Sequence, residues 1–109
     1  MPFIDTRTIE VLEKRPGWHG RIFHSPQMTF AHWDFDKGST IHEHDHDQEE
    51  VWHIVAGRLE IIIGAEKRAV GPGMVAVVPK GVRHSVRALS DGKAIVVDYP
   101  LRQMDLTPS

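Results

Sequence analysis

GSTIHEHDHDQEEVWHIVAG, residues 38–57, is the stretch on which the fold turns. His44 and His46 stand two apart, the spacing at which side chains of an extended strand share a face, with their backbones about 7 Å apart along it. One ion can then reach both rings. Glu50 follows four residues after His46, across Asp47, Gln48 and Glu49, a polar run that predicts a bend before the apolar segment 51–55. A hard oxygen donor thereby joins two borderline nitrogens.

A second run, GPGMVAVVPKGVRHSV at 71–86, supplies the fourth ligand. It predicts a turn at 71–73, a strand over 74–78, another turn through Pro79 to Gly81, and a strand that carries His84. Proline presets one turn dihedral and glycine permits positive φ, so the segment reverses tightly and aims His84 back at the first run. Three imidazoles and a carboxylate, His44, His46, His84 and Glu50, are the expected metal ligands.

The two runs together resemble the paired motifs of the cupin superfamily. The first motif matches at Gly38, His44, His46, Glu50 and Gly57, and the second at Gly73, Pro79, Gly81 and His84; Ala88 stands where the second motif usually closes with asparagine. The matched core spans 38–88. The resemblance implies an all-β cupin double-stranded β-helix, a jelly-roll-like barrel with a mononuclear metal in its mouth, built as one domain over 1–109 and often paired as a homodimer.

Composition is consistent with that class. A chain of 109 residues is one domain, able to bury roughly 60–70% of the surface its unfolded form exposes. Thirteen basic and fifteen acidic residues, net charge −2, leave no electrostatic footprint for nucleic acid or an anionic membrane. Small-molecule ligands remain open. With no cysteine, disulfides and thiolate ligands are excluded, and imidazole and carboxylate are the strong donors available. The first fourteen residues are charged throughout and lack an apolar signal core, and no stretch reaches spanning length, so a cytoplasmic protein is expected.

Turn residues punctuate short strands, as in a sandwich or barrel. Strands are expected at 20–24, 28–35, 40–46, 51–55, 58–63, 67–70, 74–78, 84–88 and 93–99. The segment 4–14 reads either as a short helical turn or as an edge strand, and a loose tail is expected from Gln103. With Glu50 facing inward, alternation puts Trp52 and Ile54 on its face, which makes Trp52 either a pocket wall or core. His42 shares the parity of His44 and His46, whereas His53 faces the opposite layer. Gly71 and Gly73 lack the strand-then-helix setting of a phosphate loop.

Three histidines and one carboxylate suit a single divalent Fe, Mn, Ni, Cu or Zn ion, and affinity order does not choose among them. On an octahedral ion two positions stay open for water or substrate, which permits polarisation of an oxygen, enolate stabilisation or dioxygen activation. In a cupin barrel the last strand runs beside the metal, which makes Asp98 the candidate proton carrier. At closer range the chain resembles the KdgF-like pectin-degradation cupins, through MTFAHWDF, HSVRALSDG and the ending YPLR. That likeness implies opening or ketonisation of unsaturated uronates and makes Arg102 the partner of a sugar carboxylate, its planar fork suiting two oxygens. Those relatives usually carry glutamine where Glu50 stands, and their final-strand acid is expected nearer Val96, with an aromatic around Asp98. The expected activity is a metal-dependent isomerase or lyase-like reaction on a small sugar acid or oxo-acid. The alternatives are an iron or copper dioxygenase and a non-catalytic metabolite binder.

Overall fold

A computed structural model describes residues 2–103. After a 3₁₀ turn at Thr6–Thr8 come ten strands: β1 Leu12–Arg15, β2 Trp18–His24, β3 Thr29–Phe35, β4 Thr40–His44, β5 Glu49–Ala56, β6 Leu59–Ile63, β7 Glu66–Val70, β8 Val75–Val78, β9 His84–Ala88 and β10 Gly92–Tyr99. All neighbouring strands run antiparallel. They form a six-stranded sheet in the order β1-β2-β3-β10-β5-β8 and a four-stranded sheet in the order β4-β9-β6-β7. This is the all-β jelly-roll sandwich expected from the sequence.

Alternation builds the core. In β3 the residues Thr29, Ala31, Trp33 and Phe35 are buried while their neighbours are not, and in β5 the same holds for Glu50, Trp52 and Ile54. Inward faces from both sheets meet around Trp18, which packs edge-on against Trp33 and Trp52 at centroid distances of 6.1 and 6.0 Å. Leu59, Ile61, Val78, Val86 and Val96 fill the layer between the sheets. Burying side chains of this size contributes about 1.5–3 kcal/mol each.

Several boundaries differ from the expected ones. The strand expected over 40–46 stops at His44, which after a register irregularity between Ile41 and His44 pairs with His84, the first residue of β9, so His46 lies in the following loop. The strand expected from Gly20 begins at Trp18. Gly20 is not a breaker there but a space-maker: a Cβ would collide with the Trp33 ring stacked over it. The ambiguous segment 4–14 contains both features, the 3₁₀ turn and then β1 at the sheet edge. Of the tail expected from Gln103, residues 104–109 lie outside the described residues. Among the described residues no helix is long and apolar enough to cross a membrane.

Strand register brings the candidate side chains to one end of the sandwich. In the four-stranded sheet His44 is paired directly with His84. In the six-stranded sheet Asp98 is paired with Glu50 on one side and Thr29 on the other. The Gly81 N–H donates to the His46 carbonyl at 2.9 Å, tying the second run to the first. At Gly57 the backbone has φ 77°, and a Cβ would run into the Asp91 carbonyl and Gly92. The turn from β5 into β6 can pack there only with glycine.

Candidate metal centre

The four-stranded sheet contributes His44 and His84, the β4–β5 loop contributes His46, and the six-stranded sheet contributes Glu50 and Asp98. One donor atom from each of His44, His46 and His84 lies within 4.8 Å of the others, and the same holds for His46, Glu50 and Asp98. Glu50 links the groups. Its Oε1 lies 3.4 Å from His46 Nε2, and its Oε2 lies 3.2 Å from His84 Nε2.

Each imidazole is oriented by a nearby carbonyl. The Nδ1–H of His44 donates to the His42 oxygen at 2.9 Å, that of His46 to the Gln48 oxygen at 3.1 Å, and that of His84 to the Val82 oxygen at 2.9 Å. A carbonyl only accepts, so these bonds select the tautomer whose Nε2 bears a lone pair. Nε2 of His46 and of His84 are buried and have no hydrogen-bond partner. Each instead meets a carboxylate oxygen, lone pair against lone pair, an arrangement relieved by a proton or a cation between them. Donor atoms about 2.1 Å from one ion sit roughly 3.0–3.4 Å apart in octahedral to tetrahedral geometry, and the spacings around Glu50 fall near that range. The residues therefore fit a divalent metal ion.

Opposite the histidines is an acidic pair held by an arginine. Glu50 and Asp98 are 3% and 1% exposed. Arg102 places Nη1 3.2 Å from Glu50 Oε1 and 3.6 Å from Asp98 Oδ2. Thr29 positions it, accepting from the Arg102 N–H at 2.9 Å and donating its hydroxyl to the Arg102 carbonyl at 3.1 Å. Gln48 Nε2 donates to the Leu101 carbonyl at 3.2 Å. Trp52, packed in the core, also donates Nε1–H to Glu50 Oε2 at 2.7 Å. The two sequence readings of Trp52 thus describe one residue, core by its ring and site by its edge.

Unequal partners drive the two buried acids apart in pKa. Desolvation penalises ionised Glu50, but contacts from His46, His84, Asp98 and Trp52 outweigh it and hold its carboxyl well below the usual range. Desolvation and the neighbouring Glu50 charge push Asp98 up to about 8. Of the two, Asp98 is the one whose neutral form the site favours. Burial carries His44 down to about 4, whereas for His84 the pull of Glu50 and the Val82 carbonyl exceeds desolvation and raises it.

A cavity of about 20 Å³ lies over the site, lined by Arg15, His44, Glu50, Trp52 and Arg102 among others. It has room for about one water molecule. His42 is exposed, its ring centroid 6.2 Å from that of His44, and His53 is exposed on the outer face. Thr29 and Gln48 were not singled out in the sequence. The available signal was Thr29 itself, a lone hydroxyl among the inward positions of an otherwise apolar strand.

The family model described as Cupin domain matches residues 31–100. An uncharacterized protein of Streptomyces coelicolor is 34% identical over 72 residues, 66% of this chain and 69% of that protein. The pectin degradation protein KdgF of Dickeya dadantii is 32% identical over 74 residues, 65% of this chain and 66% of that protein. Among solved structures, KdgF from Halomonas sp. superposes with a TM-score of 0.87 at 26% identity, covering 94% of this chain and 96% of that one.

Proposed function

Because the chain belongs to the cupin family, we propose that its cluster of His44, His46, Glu50 and His84 holds one divalent transition-metal ion and that the site isomerises or ketonises a small sugar acid or oxo-acid. The observation that carries this reading is the convergence of His46 Nε2 and His84 Nε2 on the buried Glu50 carboxylate, at 3.4 and 3.2 Å, with each ring held at Nδ1 by a main-chain carbonyl. When bound, the ion supplies a Lewis acid that polarises a substrate oxygen.

The remaining roles fall to the chain itself. Asp98, its pKa pushed up to about 8 by burial and the neighbouring Glu50 before any ion is bound, and aligned by its pairing with Glu50, gives up or accepts a proton at Oδ1, the oxygen with no hydrogen bond. An acid with a pKa near the working pH is suited to that task. Arg102 lies over the site with its backbone fastened by Thr29, so its guanidinium is free to rotate from Glu50 to a substrate carboxylate while the main chain stays in place. A sugar acid is larger than the present cavity, so this side-chain movement also makes the room it needs. The likeness to pectin degradation proteins supports a uronate-derived substrate.

A homodimer is the proposed assembly. β8 lies at the edge of the six-stranded sheet with Val75 and Val77 each 52% exposed, a surface that pairing with a second copy would cover.

The test is an NMR time course of metal-loaded protein with unsaturated uronates and diketo acids. Conversion is expected for wild type and a loss of at least 100-fold in rate for Asp98→Asn, at unchanged metal content. Equal rates in the two proteins would reject the role of Asp98, and no conversion of any such substrate would reject the reaction class.

A further inference from the structure

On the outer face of the six-stranded sheet, away from the histidines, Arg21 of β2 stands beside His32 of β3, which stands beside Ile95 of β10. These three form the floor of a second cavity, of about 260 Å³, walled by Thr6 and Arg7 of the 3₁₀ turn and by Lys93. The cations around it are unequally committed. Arg7 is folded onto Asp5, with Nε and Nη2 at 3.0 and 2.9 Å from its carboxylate oxygens, and Lys93 is paired with Asp34. Arg21 makes neither a hydrogen bond nor an ion pair among the described residues, and its Nε is buried. His32 offers it only an aromatic neighbour, its ring meeting Phe23 edge-on at 5.2 Å.

A guanidinium with a buried, unsatisfied N–H is costly, and a compensating anion relieves that cost. Planar donors in a fork match a carboxylate or phosphate through two parallel bonds. Asp34 lines the same cavity, but its charge is matched by Lys93, leaving the lining with an excess of positive charge in a protein whose net charge is −2. We propose that this cavity is a binding site for a small oxyanion, a carboxylate or phosphate group held by Arg21 with Lys93 and the Thr6–Arg7 turn at its rim. It is separate from the proposed metal centre: Arg21, His32 and Lys93 lie at outward positions of strands whose inward positions form the core. Its occupation does not depend on metal.

The experiment follows the ¹⁵N-labelled full chain by NMR as inorganic phosphate, or in a second arm succinate, is added at constant ionic strength against chloride. Saturable shifts are expected at the Arg21 Nε–H and at the amides of Thr6, Arg7 and Lys93, with the amides around His84 unmoved. Arg21→Met should weaken the affinity at least tenfold, and Lys67→Met, on the other sheet, should leave it unchanged. A response to phosphate alone assigns the site to phosphate groups, and a response to both probes assigns it to oxyanions generally. Absence of a saturable response to either probe at millimolar concentration would overturn the proposal, as would an undiminished response in Arg21→Met. Should Arg21→Met disturb the fold, Arg21→Lys replaces it: the charge without the fork should still weaken binding, and wild-type affinity would overturn the proposal.

Discussion

Each histidine of the cluster is oriented by a carbonyl two residues away, whereas the arginine on the opposite side is fastened by a threonine 73 residues earlier in the chain. The histidine rings are thus oriented by local backbone bonds once β4 and β9 have paired, and the acid side forms only when β3, β5 and β10 have been zipped together. The two sides also differ in charge behaviour. Local hydrogen bonds set the tautomers of the histidines, while proximity in a desolvated space sets the protonation of Glu50 and Asp98. The lesson is that the orientation of each candidate ligand ring can be set locally while the meeting of the ligands, and the groups that work beside them, depend on long-range strand pairing.

Substitutions that remove a ligand should separate the two sides most. His84→Ala should lower affinity for a divalent ion by more than about 100-fold, whereas Glu50→Gln, which keeps shape and one oxygen donor, should lower it by roughly tenfold; competition against a chelator measures both. Equal losses would erase the distinction. Next in size is Arg102→Gln, which removes a positive charge 3.2 Å from a Glu50 oxygen. Metal affinity should rise by about tenfold because like charges no longer compete for that oxygen, while turnover of an acidic substrate falls. Weaker metal binding in this variant would mean that Arg102 organises the site instead of competing with the ion.

The two sides should also titrate in opposite senses in chelator-treated protein. Asp98 has a folded pKa of about 8 against an ordinary value of 3.8, so the fold holds a proton that the unfolded chain has released. Its contribution is complete below pH 3.8 and is lost as pH rises through 8. His44 is lowered from 6.5 to about 4, so its contribution is present above 6.5 and lost as pH falls through 4. Urea denaturation across this range should show Asp98→Asn flattening the alkaline decline and His44→Gln the acid decline; a variant with the wild-type profile would remove that residue from the account. Thr29→Val acts on stability instead: it deletes both bonds to the Arg102 backbone and the contact with His24 Nδ1 at 2.8 Å and should cost about 1–3 kcal/mol, with a further fall in turnover from a misplaced guanidinium. A stability loss with no kinetic change would make Thr29 purely structural.

The same contrast explains how much could be read from sequence. His44, His46, Glu50 and His84 announce themselves by spacing, because strand alternation and two turns bring them together. Asp98 was placed by its position in the last strand, and Arg102 by resemblance. Thr29 and Gln48 carry no such mark, since their partners lie 73 and 53 residues away and no local period encodes that closure. The end of β4 escaped for a related reason: the sequence 40–46 alternates as one strand, and its pairing ends at His44 because its partner strand β9 begins at His84. Gly20 misled in the other direction, since its role is to admit the ring of a residue on the neighbouring strand.

The central claim is that the histidine cluster and Glu50 grip a metal ion. Elemental analysis of protein purified without an affinity tag tests it most directly, comparing wild type with a His46→Ala, His84→Ala double variant whose β-sheet circular dichroism is intact. The account predicts about one divalent transition-metal ion per chain in the wild type and no more than traces in the variant. Equal metal content in the two proteins, or none in either after supply of each candidate ion, would contradict it.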